Sequence, residues 1–243
     1  RAPLVERGNK WGEYAGVVDN LHFAECNATV SMGKWLKSYA DDCGSKVETV
    51  AIQFPDPHFK KRHHKRRVVQ PALVRALAEG LTPGARVFLQ SDVKDVSEDM
   101  RDKFERFGAH LFDIDASLHD VSAVDPKVLK SNAESAVANA AAAFQEDEKA
   151  RLRREKAEKE GYPGRRKDAE KAEGEEKAEE KAKEAPEAEE EGEGWRSAWA
   201  AAGDREGWLD ENPLGVPTER EVQTNSTNGR CYRVMLVRNS TPV

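Results

Sequence analysis

Cysteine is scarce in this chain of 243 residues, and the three that occur lie far apart. Cys26, Cys43 and Cys231 form no C-x-x-C pair and have no histidine nearby at metal-ligand spacing. This pattern argues against a cysteine-based metal site and against a disulfide framework. We therefore expect a reduced intracellular compartment, with nucleus, cytosol and chloroplast all open.

Long apolar runs are also missing. No stretch approaches 18 apolar residues, and the N-terminus lacks the charged-then-apolar pattern of a secretory signal. We therefore expect no membrane span. The chain starts at Arg1, without methionine, inside what the pattern predicts to be a helix. We expect that upstream sequence is missing.

Charge is abundant but unevenly distributed. Charged residues make up 35% of the chain and apolar residues 38%. Residues 146–193 contain 19 acidic and 13 basic side chains, which accounts for the whole net charge of −6. The remainder is balanced overall, so any nucleic-acid binding would depend on a local basic patch rather than on net charge.

A short stretch around residue 56 carries the clearest chemical signal. Asp56 lies between Pro55 and Pro57, and eight consecutive Lys, Arg or His side chains follow at residues 60–67. Each proline biases its predecessor away from the helical region, so we predict an extended or turn conformation for Asp56. The cations can hold a polyanion by its phosphates. The fixed carboxylate can accept hydrogen bonds from a base edge such as the ring N–H and amino group of guanine.

The apolar pattern around this stretch predicts one strand-helix-strand unit. Residues 47–54 and 87–92 are typical of strands, and the apolar residues of 68–81 lie on one helical face. Thr82-Pro83-Gly84 closes the helix with a turn. This alternation indicates an α/β fold with a mostly parallel sheet, in which ligands bind beyond the carboxyl ends of the strands. Three polar residues are predicted at such ends: Asn27, Asp56 and Asp92.

The other segments complete this prediction. Helices are expected over residues 1–17, 30–40 and 95–108, strands over 20–26 and 230–237, and a loop over 113–130. From Ser131 the chain becomes Ala-rich and then Glu/Lys/Ala-rich. Because this segment lacks apolar residues at core spacing, we expect a partly helical, solvated or disordered insert.

Three strings in the chain resemble tRNA (guanine-N7)-methyltransferases, most of all plant and algal members. They are FPDPHFKKRHHKRRVVQ, LTPGARVFLQSD and ENPLGVPTERE, and they occur in the family's order. The resemblance implies a Rossmann-like class I methyltransferase sheet, mostly parallel with a final antiparallel strand. It divides the chain into a partial methyltransferase domain at 1–130, the insert at 131–206 and a C-terminal segment at 207–243 that completes the domain.

The resemblance also implies an activity, transfer of a methyl group from S-adenosyl-L-methionine to N7 of guanine 46 in tRNA. Asp56 matches the catalytic position. The cofactor-binding positions match Asn27, Ala28 and Gln53, and the substrate-binding positions match Lys60, Asp92, Thr218 and Glu221. Glu219 competes with Glu221, because family members differ in that spacing. A non-catalytic partner subunit occurs with some eukaryotic members.

The basic run is expected to supply phosphate contacts, and no metal site is expected. The residues concerned are Lys61, Arg62, His63, Lys65, Arg66 and Arg67. Guanine N7 already carries an in-plane lone pair, so attack on the methyl group needs no base. Positioning should therefore dominate, with Asp56 and either Glu221 or Asp92 gripping the Watson–Crick edge of the guanine.

Plain structural roles remain open for the same residues. Asp56 could cap the region that follows or stabilise a turn, and Asn27 could be a turn residue. Asp92 could cap the helix near Asp95. Thr218 and Glu221 have capping-box spacing. Core or packing roles are the expectation for the tryptophans: Trp35, Trp195, Trp199 and Trp208.

The chain departs from the family at its start. Members begin with a strand, a Gly-rich turn and an acidic residue that binds the cofactor ribose, and neither the turn nor that acid is present. We expect these parts upstream of Arg1, so that the sheet lacks its first strands. The alternatives are a non-catalytic RNA-binding remnant of the family and an unstructured protein whose residues 60–67 form a nuclear localisation signal.

Overall fold

Four strands pair into one sheet in the part of the chain that the structure describes. The structure is a computed structural model, and it describes residues 2–159, 195–202 and 206–243. The strands are β1 Thr49–Gln53, β2 Arg86–Ser91, β3 Phe112–Ile114 and β4 Tyr232–Arg238. Their order is β1-β2-β4-β3. β1 and β2 are parallel, while β4 is antiparallel to both β2 and β3. This confirms the predicted α/β fold with a final antiparallel strand.

Helices precede, connect and follow these strands. The α-helices are α1 Ala2–Ala15, α2 Ala28–Cys43, α3 Pro71–Gly80, α4 Lys94–Gly108, α5 Pro126–Lys159 and α6 Glu219–Ser226. Short 3-10 helices lie at Lys61–Arg66 and Trp199–Ala201. In the described ranges, no helix combines the length and the apolar character that crossing a membrane would require.

The strand-helix-strand unit forms as the sequence predicts. Pro71 begins α3, where its missing N–H costs no helical hydrogen bond. The turn after α3 is closed by the Ala85 N–H, which donates to the Thr82 carbonyl at 3.0 Å. Pro83 and Gly84 occupy its central positions, and Gly84 has φ +89°. A positive φ at the second central position is the signature of a type II turn, which explains Pro-Gly at this point.

The main core lies on one face of the sheet. Val87 and Leu89 of β2 are paired in register with Leu236 and Val234 of β4, and all four are at most 1% exposed. Helices α3 and α4 cover this face with Leu73, Val74, Leu77, Met100 and Phe104. Phe104 meets Phe112 of β3 edge to face, with ring centroids 5.4 Å apart. This packing fixes the carboxyl ends of β1, β2 and β3 at one edge.

Two sequence predictions about elements were wrong. Residues 20–26 are not a strand; residues 21–27 have no regular secondary structure, and Asn27 begins the cap of α2. Residues 113–130 are not all loop, because β3 extends to Ile114 and α5 begins at Pro126. A strand is defined by its ladder partner, and three residues are too few to show a period of two.

Helix α5 runs through residue 131 without a break and packs on α4. Ala136 is fully buried and Asn132 is 6% exposed. The first turns of the Ala-rich segment therefore contribute to the core, contrary to the sequence expectation, because small side chains let two helices approach closely. Trp199 and Trp208 are buried, as expected for packing residues, whereas Trp35 is partly exposed. The part of the expected insert at 160–194 lies outside the described residues.

Glu105 of α4 joins both flanks of this segment. Its buried carboxylate accepts hydrogen bonds from the Asn132 side-chain amide at 2.7 Å and from the Ala198 N–H at 2.7 Å. The Ser197 hydroxyl donates to the other carboxylate oxygen. The chain before and after the acidic stretch is therefore held at one point of the domain.

Candidate functional site

The loop after β1 presents Asp56 at the carboxyl edge of the sheet. The Phe54 N–H donates to the Gln90 carbonyl at 2.8 Å, which anchors the loop to β2. Phe54 and His58 have φ of +47° and +45°, positive values that only a few per cent of non-glycine residues adopt. Asp56 Oδ1 accepts the His58 N–H at 3.1 Å, and its side chain is 61% exposed. The turn-stabilising role left open for Asp56 is thus present, but this acid does not cap the following helices, whose N-caps are Lys60 and Gln70.

The basic run forms the 3-10 helix Lys61–Arg66 and its two flanking residues. Five of its cations are exposed, namely Lys60, Lys61, Arg62, Lys65 and Arg66, while His63 and His64 are half-buried. The pKa of His63 is lowered, first by partial removal of the ring from water and then by the neighbouring charges of Arg66 and Arg62. Neutral imidazole is therefore favoured near pH 7.

Arg67 does not belong to this exposed set. It is 4% exposed, and its guanidinium is surrounded by protein groups. A guanidinium enclosed in this way offers no surface to a nucleic-acid backbone, which argues against the predicted phosphate contact at Arg67. Eight cations in a row look equivalent in the sequence, and only packing distinguishes the last one.

A row of polar side chains crosses the sheet beside Asp56. Gln53 of β1 pairs in register with Gln90 of β2, which pairs with Arg233 of β4, so the three lie on the same face. Gln90 is fully buried. Among the described residues, no hydrogen-bond partner meets the side-chain oxygen of Gln53. Buried polar atoms without partners are rare in folded proteins, and at a sheet edge they mark a place for a polar ligand.

Glu221 of α6 extends this row. Its carboxylate accepts from Arg233 Nη2 at 2.7 Å and from Asn212 Nδ2 at 2.8 Å, and it is 3% exposed. Burial acts to raise the pKa of Glu221, but the hydrogen bonds from Asn212 and Gln90 and the charge of Arg233 outweigh it, so the pKa lies below its ordinary value. Glu221 is therefore ionised near neutral pH.

Thr218 is the N-cap of α6, and its hydroxyl accepts the Glu221 N–H at 3.2 Å. The capping role left open for Thr218 is therefore present. The Glu221 side chain does not complete a capping box, because its carboxylate binds Arg233 and Asn212 instead of the Thr218 N–H. Glu219, the competing acid, is exposed in the first turn of α6.

Asp92 follows β2 and pairs with Arg220 of α6. Its Oδ2 accepts from Arg220 Nε at 2.9 Å and from Nη2 at 2.6 Å. The helix after it is capped at Val93, so the N-cap role left open for Asp92 is wrong. Asp92 and Glu221 therefore both approach the edge of the sheet with an arginine partner.

Asn27 and Ala28 begin α2 near the end of the basic run. Asn27 is exposed, and its Oδ1 accepts the Thr29 N–H at 3.2 Å as an N-cap. The Thr29 hydroxyl donates to the Val68 carbonyl at 3.5 Å, which places this helix end beside the basic run. The start of α2 and the loop of Asp56 thus flank the same segment of chain.

The structure adds residues that the sequence analysis missed: Asn212, Arg220 and Arg233. Arg233 had a signal, since it directly precedes the apolar run 234–237 of a strand that ends at a second arginine, Arg238. Asn212 and Arg220 lie within the quoted distal string, but nothing in that string says which acid each one contacts. Within the described ranges, no group of three or more His, Cys, Asp or Glu side chains could hold a metal ion.

Comparison with known proteins indicates the family of the chain. A family model described as "Putative methyltransferase" matches residues 4–158. A tRNA (guanine-N(7)-)-methyltransferase from Synechococcus sp. (strain JA-3-3Ab) is 54% identical over 104 residues, which are 43% of this chain and 41% of that protein. One from Synechocystis sp. is 47% identical over 104 residues, 43% and 47% of the two chains. One from Thermosynechococcus vestitus is 49% identical over 109 residues, 45% and 48% of the two chains. The chain thus spans under half the length of these curated relatives.

Proposed function

We propose that this chain, which belongs to the methyltransferase family, forms part of a tRNA (guanine(46)-N7)-methyltransferase. The substrate is tRNA and the methyl donor is S-adenosyl-L-methionine. The observation that carries the proposal is an exposed acid, Asp56, held at the carboxyl edge of the sheet directly before five exposed cations. The names of the relatives support the same reaction.

The residues present fit a polar cofactor. The side-chain oxygen of Gln53 is a buried acceptor that no described residue satisfies, so a donor on the ligand would satisfy it. At the start of α2, Asn27 is exposed and Ala28 is half-buried. The Thr29 N–H donates to Asn27 Oδ1 and the Val30 N–H to the Asn27 carbonyl, so the Ala28 N–H is the donor left for a ligand. We assign Gln53, Asn27 and Ala28 to S-adenosylmethionine, which when bound supplies an electrophilic methyl group.

The protein's contribution to the chemistry is alignment. Guanine N7 needs no deprotonation, so the rate depends on holding N7 in line with the methyl group, which can be worth several powers of ten. Asp56 is the acid that we place on the ring N–H and amino group, because its carboxylate is exposed. Asp92, whose side chain is 17% exposed, retains lone pairs beyond those used by Arg220, so it can accept a hydrogen bond from the guanine. The enclosed Glu221 holds Arg233 and Asn212 in place behind it. Thr218 holds the first turn of α6 beside them.

The exposed part of the basic run serves the phosphates. Lys61, Arg62, Lys65 and Arg66 present cations on one short 3-10 helix, and His63 adds a neutral donor. Lys60 lies nearest to Asp56 along the chain, so it is the cation for the target nucleotide. These contacts fix the register of the tRNA without reading its sequence.

The proposal includes two further features of the complete protein. Its intracellular setting is supported by free thiols at Cys26, Cys43 and Cys231 in the described structure. A non-catalytic partner subunit is included only because the resemblance to some eukaryotic members of the family implies one. Size-exclusion chromatography with mass measurement of the protein from its native source tests for that subunit.

The test is methyl transfer by the complete gene product. The protein is incubated with methyl-labelled S-adenosylmethionine and an unmodified tRNA transcript, and the site is located by borohydride and aniline cleavage at 7-methylguanine. We expect one labelled guanine per tRNA. A transcript with 7-deazaguanine at that position should bind with unchanged affinity but accept no methyl group. Binding of the normal transcript without transfer would instead identify a non-catalytic RNA-binding protein.

A further inference from the structure

Arg67 ends the basic run, yet its surroundings differ from those of every other cation in it. Its side chain is 3% exposed. Five other residues of the run are exposed: Lys60, Lys61, Arg62, Lys65 and Arg66. A guanidinium is removed from water only where its donors and its charge are met by protein groups. The contacts of Arg67 therefore indicate what it does.

The guanidinium of Arg67 connects two parts of the site. Its Nε donates to the Pro57 carbonyl at 3.0 Å, directly after Asp56. Its Nη2 forms an ion pair with Asp95, and its Nη1 lies 3.6 Å from Asp99 Oδ2. Asp95 and Asp99 belong to the first turns of α4, three and seven residues after Asp92. Arg67 thus ties the loop of Asp56 to the helix that follows Asp92.

The Arg67 backbone is held as well. Gln70 Nε2 donates to the Arg67 carbonyl and to the His64 carbonyl, each at 3.1 Å. Arg67 Nη2 also lies 3.1 Å from His64 Nε2. The guanidinium is therefore fixed from both sides, and it can transmit the position of α4 to the loop.

The loop needs such a restraint. Phe54 and His58, on either side of the Pro-Asp-Pro segment, have φ of +47° and +45°. Non-glycine residues persist in this region only where surrounding contacts over-determine the conformation. The internal contact of the loop, from the His58 N–H to Asp56, spans only two residues. The Pro57 carbonyl is the point at which Arg67 restrains the loop from outside.

We propose that Arg67 is a positioning residue that sets the distance between Asp56 and Asp92 through the Pro57 carbonyl and the carboxylates of α4, and that it makes no phosphate contact. This inference rests on the proposed methyl transfer to tRNA. Lysine cannot replace arginine in this role, because a single ammonium cannot donate to a carbonyl and to two carboxylates in a fixed planar geometry.

The test compares Arg67→Lys with Arg66→Gln in the complete gene product. Arg66→Gln removes an exposed cation, so we expect the slope of log Kd for tRNA against log salt concentration to fall by about 1. For Arg67→Lys we expect a wild-type slope, a KM for tRNA within about twofold of wild type and a kcat lower by about tenfold or more. A wild-type kcat in Arg67→Lys would overturn the inference.

Two further measurements keep the outcomes distinct. Arg67→Gln should also leave the salt slope unchanged, and a fall of about 1 would show that Arg67 contacts phosphate. Hydrogen exchange at the His58 N–H should be faster in Arg67→Lys than in Arg66→Gln; equal exchange would overturn the restraint. If Arg67→Gln does not fold, Asp95→Asn tests the restraint instead, because it weakens one ion pair of Arg67 at a side chain that is 68% exposed; exchange at the His58 N–H should then be faster than in wild type, and unchanged exchange would overturn the restraint. Absence of methyl transfer by the wild-type protein would defeat the proposed function, whereas the exchange measurement tests the restraint independently.

Discussion

Glu221 accepts a hydrogen bond from Arg233 at 2.7 Å, and the two side chains are 4% and 7% exposed. This ion pair joins α6 to β4 at the edge of the sheet where Asp56 and Asp92 emerge. Arg233 Nη1 also donates to the Asp210 carbonyl at 2.7 Å, so one guanidinium holds both the helix and the segment before it. The pair therefore fixes the far wall of the candidate site.

Replacing Arg233 with methionine should destabilise the fold strongly. The change leaves the Glu221 carboxylate buried with no cation, which typically costs about 3 kcal/mol or more. The free energy of unfolding in urea measures this loss. Lys130→Met is the control, because its partner Glu134 lies at 3.9 Å and both side chains are at least 70% exposed. That variant should lose less than about 0.5 kcal/mol. Equal losses of unfolding free energy in the two variants would show that the buried Glu221 carboxylate does not need the charge of Arg233.

Residues 146–193 should be removable without loss of the fold. Asn139 Nδ2 donates to the Arg106 carbonyl at 3.1 Å, and the Arg106 guanidinium lies 4.9 Å from the Trp195 ring centre, so the two flanks meet at one residue. A flexible linker of about eight residues should bridge them. We expect a change in unfolding free energy below about 1 kcal/mol.

The comparison for the shortened chain is the substitution Glu105→Ala in the unshortened chain. It leaves the Asn132 amide and the Ala198 N–H without their acceptor in a buried position, so it should cost about 3 kcal/mol or more. If shortening the chain is as damaging as Glu105→Ala, residues 146–193 contribute to the fold and the expectation of a solvated insert is wrong.

His119 should make the protein sensitive to acid. It is 6% exposed and its Nε2 accepts the Met235 N–H at 3.1 Å. Burial lowers its pKa to about 4, although Asp115 acts in the opposite direction. An unfolded chain protonates this histidine near 6.5, so stability is complete above that pH and falls as pH decreases toward 4. Between pH 7 and 5 the expected loss is about 2 kcal/mol.

His119→Gln is the comparison, because glutamine can accept the same hydrogen bond and does not titrate. Burial raises the pKa of Asp102 to about 6, which adds stability as pH falls, but this contribution is common to both proteins and cancels in the difference. Unfolding in urea at both pH values should show a smaller acid loss in the variant. Identical pH dependence would mean that His119 protonates normally in the folded state.

The sequence predicted most elements because their apolar spacing is regular. The segment 68–81 contains α3, with Leu73, Val74 and Leu77 at most 1% exposed, and residues 86–91 form β2 with five buried positions in succession. The resemblance to the methyltransferase family is confirmed by the family match. β3 was missed because three residues carry no period, and residues 20–26 were misassigned because alternation alone does not supply a strand partner.

The site was only partly predictable, for a different reason. Asp56 was identifiable because two prolines and a cation run surround it. The contrast between Arg66 and Arg67 was not, since both are identical in type and adjacent in sequence. Only the fold shows that one is exposed and the other is enclosed by Asp95, Asp99 and Pro57. Likewise, the pairing of Asp92 with Arg220 joins positions 128 residues apart.

The central claim is that Asp56 orients guanine and does not bind the tRNA backbone. The decisive measurement is the kcat of methyl transfer and the tRNA Kd for Asp56→Ala and Asp56→Asn in the complete gene product. Asparagine can keep the contact to the His58 N–H through Oδ1, while it removes the charge and replaces the second acceptor oxygen with an NH2 donor. We predict a kcat lower by about 100-fold or more in both variants, with Kd within about twofold of wild type. A near-normal kcat in either variant, or a loss explained by weaker tRNA binding, would contradict the account.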